Sequence, residues 1–506
     1  MTAAEDGGMG SRRQVLAGVA AVLALATGLV AAPTAGAARP FDTAVFDHLE
    51  FPGPDRDRAF DRVRAAGANT ARISVVWANV APGGPTRPTT FDARNPLDPA
   101  YHFEAIDRQV IAATRAGLEP YLMIFFAPEW AERGTVGPVG GRDPDPEALA
   151  DFATAIATRY SGTMLGLPAV RHWQAWNEPN LHSFLMPQFK EPYDQNISGR
   201  GEALSPRLYR NLLRSFARAV RDVRPDNLVI TGGLLPFGRS FGFRHAVAPL
   251  RFMRDLLCLT AENKPKDGCR PVPFDIWAHH PYTEGGPNHE AADPENASMG
   301  DLPEMRRILN AAIRAGHVAS RGRVGFWVTE FSWETKPSDD QGVPMKLHAR
   351  WLAEALYRMW RQGVTLVTWF KIRDETVVRD DGYKLESGLF FNCPKRESGC
   401  YRRKRSFTAF RFPFVAFDKG RRVLVWGRTP AGIRARVAIQ QRRRNGRWQT
   451  LERVKTNRYG IFKDRLKAGG RPLRARMLDS SRERSLPFEL METPDIPVRI
   501  FGEARA

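Results

Sequence analysis

A repeated alternation of two patterns constrains this chain most. Short apolar runs are followed by stretches whose apolar residues recur every three or four positions. The runs are Thr43 to Phe46, Ala71 to Val76, Tyr121 to Phe126, Val170 to Trp176, Leu228 to Leu235, Phe274 to Ala278, Gly325 to Phe331 and Thr365 to Phe370. Each is mostly apolar, as expected of a strand covered on both faces. Leu149, Phe152, Ile156 and Tyr160 form one helical stripe, and Leu208, Leu212, Phe216 and Val220 a second. Met305, Ile308, Leu309 and Ala312 form a third, and Leu352, Ala355, Leu356 and Met359 a fourth. Buried strands alternating with amphipathic helices predict an α/β fold with a parallel sheet sheathed in helices. Repeated eight times, they predict a (β/α)8 TIM barrel over residues 38–415. A doubly wound open sheet is the alternative, but no glycine-rich nucleotide loop opens any of the helices.

The texture changes after Val415. Segments 433–439 and 473–477 alternate apolar residues with mostly arginine, the period of half-buried strands. Asn445-Gly446 sits between two such runs and predicts a type I′ hairpin. Residues 416–506 therefore read as a small C-terminal antiparallel β-sandwich. The net charge is +20, and residues 401–506 hold 28 Lys and Arg against 9 Asp and Glu. Almost all the excess lies there, so the barrel is close to neutral. Two readings follow: a solvated arginine face, or a surface that adheres to anionic cell-wall polymers or an acidic polysaccharide. Nucleic acid is electrostatically possible but is not expected as a partner of an exported protein.

Export is read from residues 1–37. Ser11-Arg12-Arg13-Gln14-Val15-Leu16 looks like a twin-arginine signal. An Ala/Gly/Val/Leu-rich run to Ala32 follows, and then Ala35-Gly36-Ala37, an A-x-A-like cleavage site. After cleavage the chain is expected to be a monomer outside the cytoplasm, without a membrane partner. An uncleaved membrane anchor is the other reading. Outside the cytoplasm disulfides are allowed, and Cys258 with Cys269 and Cys393 with Cys400 are candidates for two local bridges. Four free thiols are the alternative. No C-x-x-C pair is present, which excludes a zinc ribbon.

In a barrel of this kind chemistry sits where strands end. The fourth run closes on Trp176-Asn177-Glu178-Pro179 and the seventh on Val328-Thr329-Glu330-Phe331. Each places a glutamate where an apolar strand runs out, and three βα units lie between them. Two carboxyls meeting across a barrel mouth are what retaining glycoside hydrolysis requires.

On these residues the chain resembles the retaining glycoside hydrolases of clan A, most of all family 39 and the cellulase-like family 5, over residues 40–415. Asn177-Glu178-Pro179 matches the acid/base motif, and Glu330, in an apolar strand followed by Trp333, matches the nucleophile. His280-Pro281-Tyr282 matches the strand-six His-x-Tyr, Trp369 the strand-eight aromatic and Arg72 the strand-two arginine. Gln174 departs from the pattern, since many relatives carry Glu there. The resemblance implies hydrolysis of an O-glycosidic bond in a carbohydrate substrate, with no metal or organic cofactor. Arg72 and Tyr282 would hold Glu330 ionised, and the charge on Glu330 would raise the pKa of Glu178. Asn177 would bond the sugar 2-hydroxyl and Trp369 would floor the sugar. Trp77, Trp130 and Trp333 read either as outer sugar platforms or as packing. Asp374 and Glu375 read as a solvated charge pair outside the site. The same barrel could instead serve a non-catalytic carbohydrate- or wall-binding protein.

Overall fold

The computed structural model describes residues 39–190, 201–238, 246–337, 339, 341–375, 385–392 and 402–498. The export segment and the Cys393–Cys400 pair lie outside them. Cys258 and Cys269 are joined by a disulfide.

Eight parallel strands close into a barrel in sequence order. They are β1 (Asp42–Phe46), β2 (Thr70–Val76), β3 (Glu119–Phe125), β4 (His172–Ala175), β5 (Leu228–Ile230), β6 (Ile276–His279), β7 (Gly325–Phe331) and β8 (Leu366–Phe370). Each is followed by a helix: α1 (Arg56–Ala65), α2 (Glu104–Arg115), α3 (Pro146–Arg159), α4 (Ser205–Val223), α5 (Pro249–Leu256), α6 (Leu302–Arg314), α7 (Met345–Arg361) and α8 (Arg405–Arg411). The four helical stripes fall on α3, α4, α6 and α7. Among the described residues no helix is long and apolar enough to cross a membrane.

Alternation along the strands divides the interior from the helix layer. Ala44, Tyr121, Ile230, Ile276, Ala278, Trp327 and Leu366 pack as a plug inside the barrel. Above it Phe46, Met123, Phe370 and Leu385 form a second apolar layer toward the C-terminal mouth. Their neighbours Val45, Leu122, Trp173, Trp277, Val328 and Trp369 point outward into the core shared with the helices.

Two short strands, β9 (Phe390–Phe391) and β10 (Arg402–Arg403), pair beyond β8. Two three-stranded antiparallel sheets then follow, as the period-two pattern predicts. One is ordered β11 (Phe414–Asp418), β12 (Val423–Arg428), β15 (Ile461–Leu466), and the other β14 (Trp448–Lys455), β13 (Arg436–Arg442), β16 (Leu473–Met477). The expected type I′ turn is not formed. Gly446 takes φ +78° but Asn445 is not left-handed. Gly446 N–H donates to Arg443 O and Arg443 N–H to Arg447 O, a type I turn closed by a glycine bulge.

The described residues fall in one compact unit. Trp426 of β12 is fully buried, with ring centroids 5.5 Å from Tyr357 and 5.6 Å from Trp360 of α7. Arg350 of α7 donates to Glu489 O and Met491 O, fixing the segment after β16 along the helix. Barrel and sheets thus share one hydrophobic cluster.

Candidate active site

The barrel mouth is organised by the buried guanidinium of Arg72 on β2. Its Nη1 lies 2.7 Å from Glu330 Oε2, its Nη2 donates to Asn177 Oδ1 at 2.8 Å, and its Nε donates to Gln174 Oε1 at 3.1 Å. Gln174 cannot carry charge, so Glu330 is the one carboxylate paired with Arg72 among the described residues. The Gln174 Nε2 donates to Thr231 O, which fixes the orientation of the amide.

Glu330 would face the helices if β7 kept strict alternation from Thr329. The register against β8 shifts between Val328 and Phe331, which turns the glutamate into the mouth. There Tyr282 OH donates to Glu330 Oε1 at 2.6 Å. Burial and the Glu330 charge push the Tyr282 pKa well up, so the phenol keeps its proton and remains a donor.

Glu178 stands on strained backbone. Trp176 has φ +73° and Glu178 φ +38°, a region that side chains seldom adopt and that is concentrated at functional sites. The strain is held by the Glu178 N–H bond to Gly233 O, by Trp176 Nε1 donating to Phe184 O, and by Asn180 Nδ2 donating to Leu235 O and Val247 O. The Glu178 carboxyl lies 2.8 Å from His280 Nδ1, and His280 Nε2 lies 3.1 Å from Thr329 Oγ1. Burial pushes the pKa of Glu178 up to about 8, against an opposing pull from Arg72. Burial also pushes His280 down to about 3. Burial thus disfavours the charged form of both groups and favours a Glu178–His280 hydrogen bond between neutral partners over an ion pair. The sequence-based expectation differs in cause: repulsion from Glu330 is not what lifts Glu178, its removal from water is.

The structure thus brings Arg72, Asn177, Glu178, His280, Tyr282 and Glu330 together at one mouth. Trp369 is not among them. It is fully buried, its Nε1 donates to Ser387 O, and its ring meets Phe331 edge-on in the outward-facing core. The aromatic surface beside Arg72 belongs to its neighbour Phe370, stacked on Phe46 at 5.5 Å and on half-buried His48 at 5.7 Å. Arg72 Cζ lies 4.8 Å from the Phe46 ring. Trp77, Trp130 and Trp333 are packing residues: Trp77 lies between Phe152 and Trp130, and Trp333 donates to Gly285 O against Trp351.

Asp374 and Glu375 are not solvated either. Asp374 pairs with Lys404 at 2.6 Å and Glu375 with Lys371 at 2.7 Å, all four buried. Sequence reading also passed over Gly233 and Thr329. A Cβ on Gly233 would lie 2.1 Å from His280 Nε2, so only glycine lets the segment after β5 approach the imidazole. Thr231-Gly232-Gly233, which interrupts the apolar run Leu228 to Leu235, is the available signal.

No family model matches the chain, and no curated protein matches it. Among solved structures similar to it are several glycoside hydrolases. One is a family 39 glycoside hydrolase from the gut symbiont Bacteroides cellulosilyticus, at 16% identity and TM-score 0.48, covering 85% of this chain and 81% of that one. A glucosidase from Croceicoccus marinus is 15% identical with TM-score 0.47, over 86% and 94% of the two chains. A GH30 endoxylanase from Clostridium papyrosolvens is 10% identical with TM-score 0.42, over 86% and 96%.

Proposed function

We propose that this chain is a retaining glycoside hydrolase, with Glu330 as nucleophile and Glu178 as general acid/base. One observation carries the reading. Two carboxyls at the same barrel mouth sit in opposite electrostatic settings, one paired with Arg72 and Tyr282, the other buried, neutral and beside a neutral imidazole. Pairs of titratable groups driven apart by environment mark an acid and its partner.

In this mechanism Glu330 attacks the anomeric carbon while Glu178 gives its proton to the glycosidic oxygen, and the bond to the leaving group breaks. A glycosyl ester on Glu330 remains. Glu178, now ionised, takes a proton from water. That water adds to the anomeric carbon, and the bond to Glu330 breaks. A carboxyl poised near pH 8 serves both half-reactions, because it holds its proton at rest and accepts one readily afterwards. Arg72 and Tyr282 orient the Glu330 oxygens, and Asn177, held by Arg72, is placed to bond the sugar 2-hydroxyl. No step calls for a metal or organic cofactor. With the export signal read at the N-terminus, the proposed action is on extracellular oligosaccharide or polysaccharide.

The test is Glu330→Gly with added azide and an aryl glycoside panel. A glycosyl azide of configuration opposite to the substrate supports the reading. Undiminished turnover in Glu330→Gly, or no turnover by the native chain on any glycoside while it binds glycans, overturns it in favour of a binding protein.

A further inference from the structure

The sheet β14-β13-β16 turns Val437, Ile439, Leu473, Ala475 and Met477 into the core. Its other face follows from the register. Arg436 pairs with Lys455, Ala438 stands between Arg453 and Arg476, Gln440 between Thr450 and Arg474, and Arg442 pairs with Trp448. Arg484 bridges to Arg476 and extends the second row. Residues facing each other across strands share a face, so these rows gather seven cations and no carboxylate.

Proteins seldom leave like charges side by side without an opposing group. In this segment the ion pairs among the described residues are Arg411–Glu483, Lys346–Glu489 and the His289–Asp495 contact, and none is on this face. Arg476 Nε is buried without a hydrogen-bond partner among the described residues. Arg474 lies with Cζ 4.1 Å from the Trp448 ring, and its Nε donates to Gln440 Oε1 at 3.0 Å. Burial and the neighbouring Arg484 and Arg476 push its pKa down to about 10. The centre of the face is thus polar and partly buried, with exposed guanidinium groups around it.

We propose that this face is a binding site for an anionic polysaccharide, its carboxylate or sulfate groups taken by Arg453, Arg474, Arg476 and Arg484. Arginine forks match such oxyanions in pairs of parallel bonds, and Gln440 and Thr450 supply partners for hydroxyls. Single-stranded nucleic acid needs several open aromatic platforms, whereas the one ring on this face is covered by Arg474. The choice of a polysaccharide also leans on the glycosidase reading of the barrel, so binding is measured separately from turnover.

The experiment uses the full chain with polygalacturonate, dextran sulfate, neutral dextran and duplex DNA as probes at physiological salt. Two double variants carry the same charge change: Arg453→Glu with Arg484→Glu on the face, and Arg443→Glu with Arg444→Glu at the hairpin tip. All four positions are exposed, so folding is not at risk. Binding to polygalacturonate or dextran sulfate should weaken about tenfold or more in the face variant and about threefold or less in the tip variant. Which of these two probes binds tighter assigns carboxylate or sulfate. Equal losses in the two variants, no binding to either anionic glycan, or tighter binding to DNA overturns the proposal. Loss of turnover on a small aryl glycoside bears only on the barrel.

Discussion

Arg72 holds Glu330 at 2.7 Å from a position with no exposed surface, and among the described residues it has no second carboxylate. Removing one member of a buried ion pair strands the other charge, at a cost of about 3–5 kcal/mol. Arg72→Met should lower thermal stability by that order and abolish turnover. Arg72→Lys keeps the charge but cannot reach Glu330, Asn177 and Gln174 together, so kcat/KM on an aryl glycoside should still fall by about 100-fold.

Gln174→Glu tests the opposite change. The new carboxylate would compete with Glu330 for Arg72, and one of its oxygens would face Thr231 O, where the amide now donates. Stability should fall by about 1–3 kcal/mol and kcat with it. An unchanged melting curve and rate would show that Arg72 tolerates two acidic partners.

The acid limb of the mechanism predicts a pH profile. Glu178 must be protonated to act as acid, so kcat/KM should decline above pH 8 as the proton is lost. The same group shapes stability. Its folded pKa lies above the unfolded value, so the unfolded chain ionises first and stability falls as pH rises from about 4.5 to 8. Glu178→Gln should therefore melt higher than the native chain at pH 7.5, by on the order of 3 kcal/mol, and close to it at pH 4. Turnover should fall about 100- to 10,000-fold, less for substrates whose leaving group needs no proton. Melts at the two pH values and rates on activated and unactivated glycosides decide both points.

The glutamates were legible because an apolar strand that ends in a carboxylate is visible in one dimension. Trp369 was misplaced because 366–370 is apolar at nearly every position, so the sequence does not reveal which alternate residues face inward; the pairing with β1 and β7 decides it. Asp374 looked solvated because its partner Lys404 lies thirty residues on. The cause of the Glu178 shift was hidden for a related reason. Charge can be counted along a chain, but loss of water depends on what folds over the group.

Trp369→Ala should act on the core and leave the sugar pocket alone, costing about 3–5 kcal/mol of stability. Any enzyme that remains folded should keep its KM within a factor of about two. Phe370→Ala, at the mouth, should raise KM instead. Denaturant melts beside steady-state kinetics separate the two, and a KM change confined to the Trp369 variant would restore it to the site.

Gly233→Ala forces His280 to move, since the new methyl would stand 2.1 Å from its Nε2. The expected result is a loss of about 1–3 kcal/mol together with a lower pH limit on activity, because a displaced imidazole lets water reach Glu178. A native pH profile in this variant would mean that the imidazole does not keep the acid dry.

Trp426, sunk against Tyr357 and Trp360 of α7, ties the antiparallel sheets to the helix that follows the Glu330 strand. Because the sheets and α7 share one core, neither can open without exposing apolar surface of the other, and the two parts unfold together.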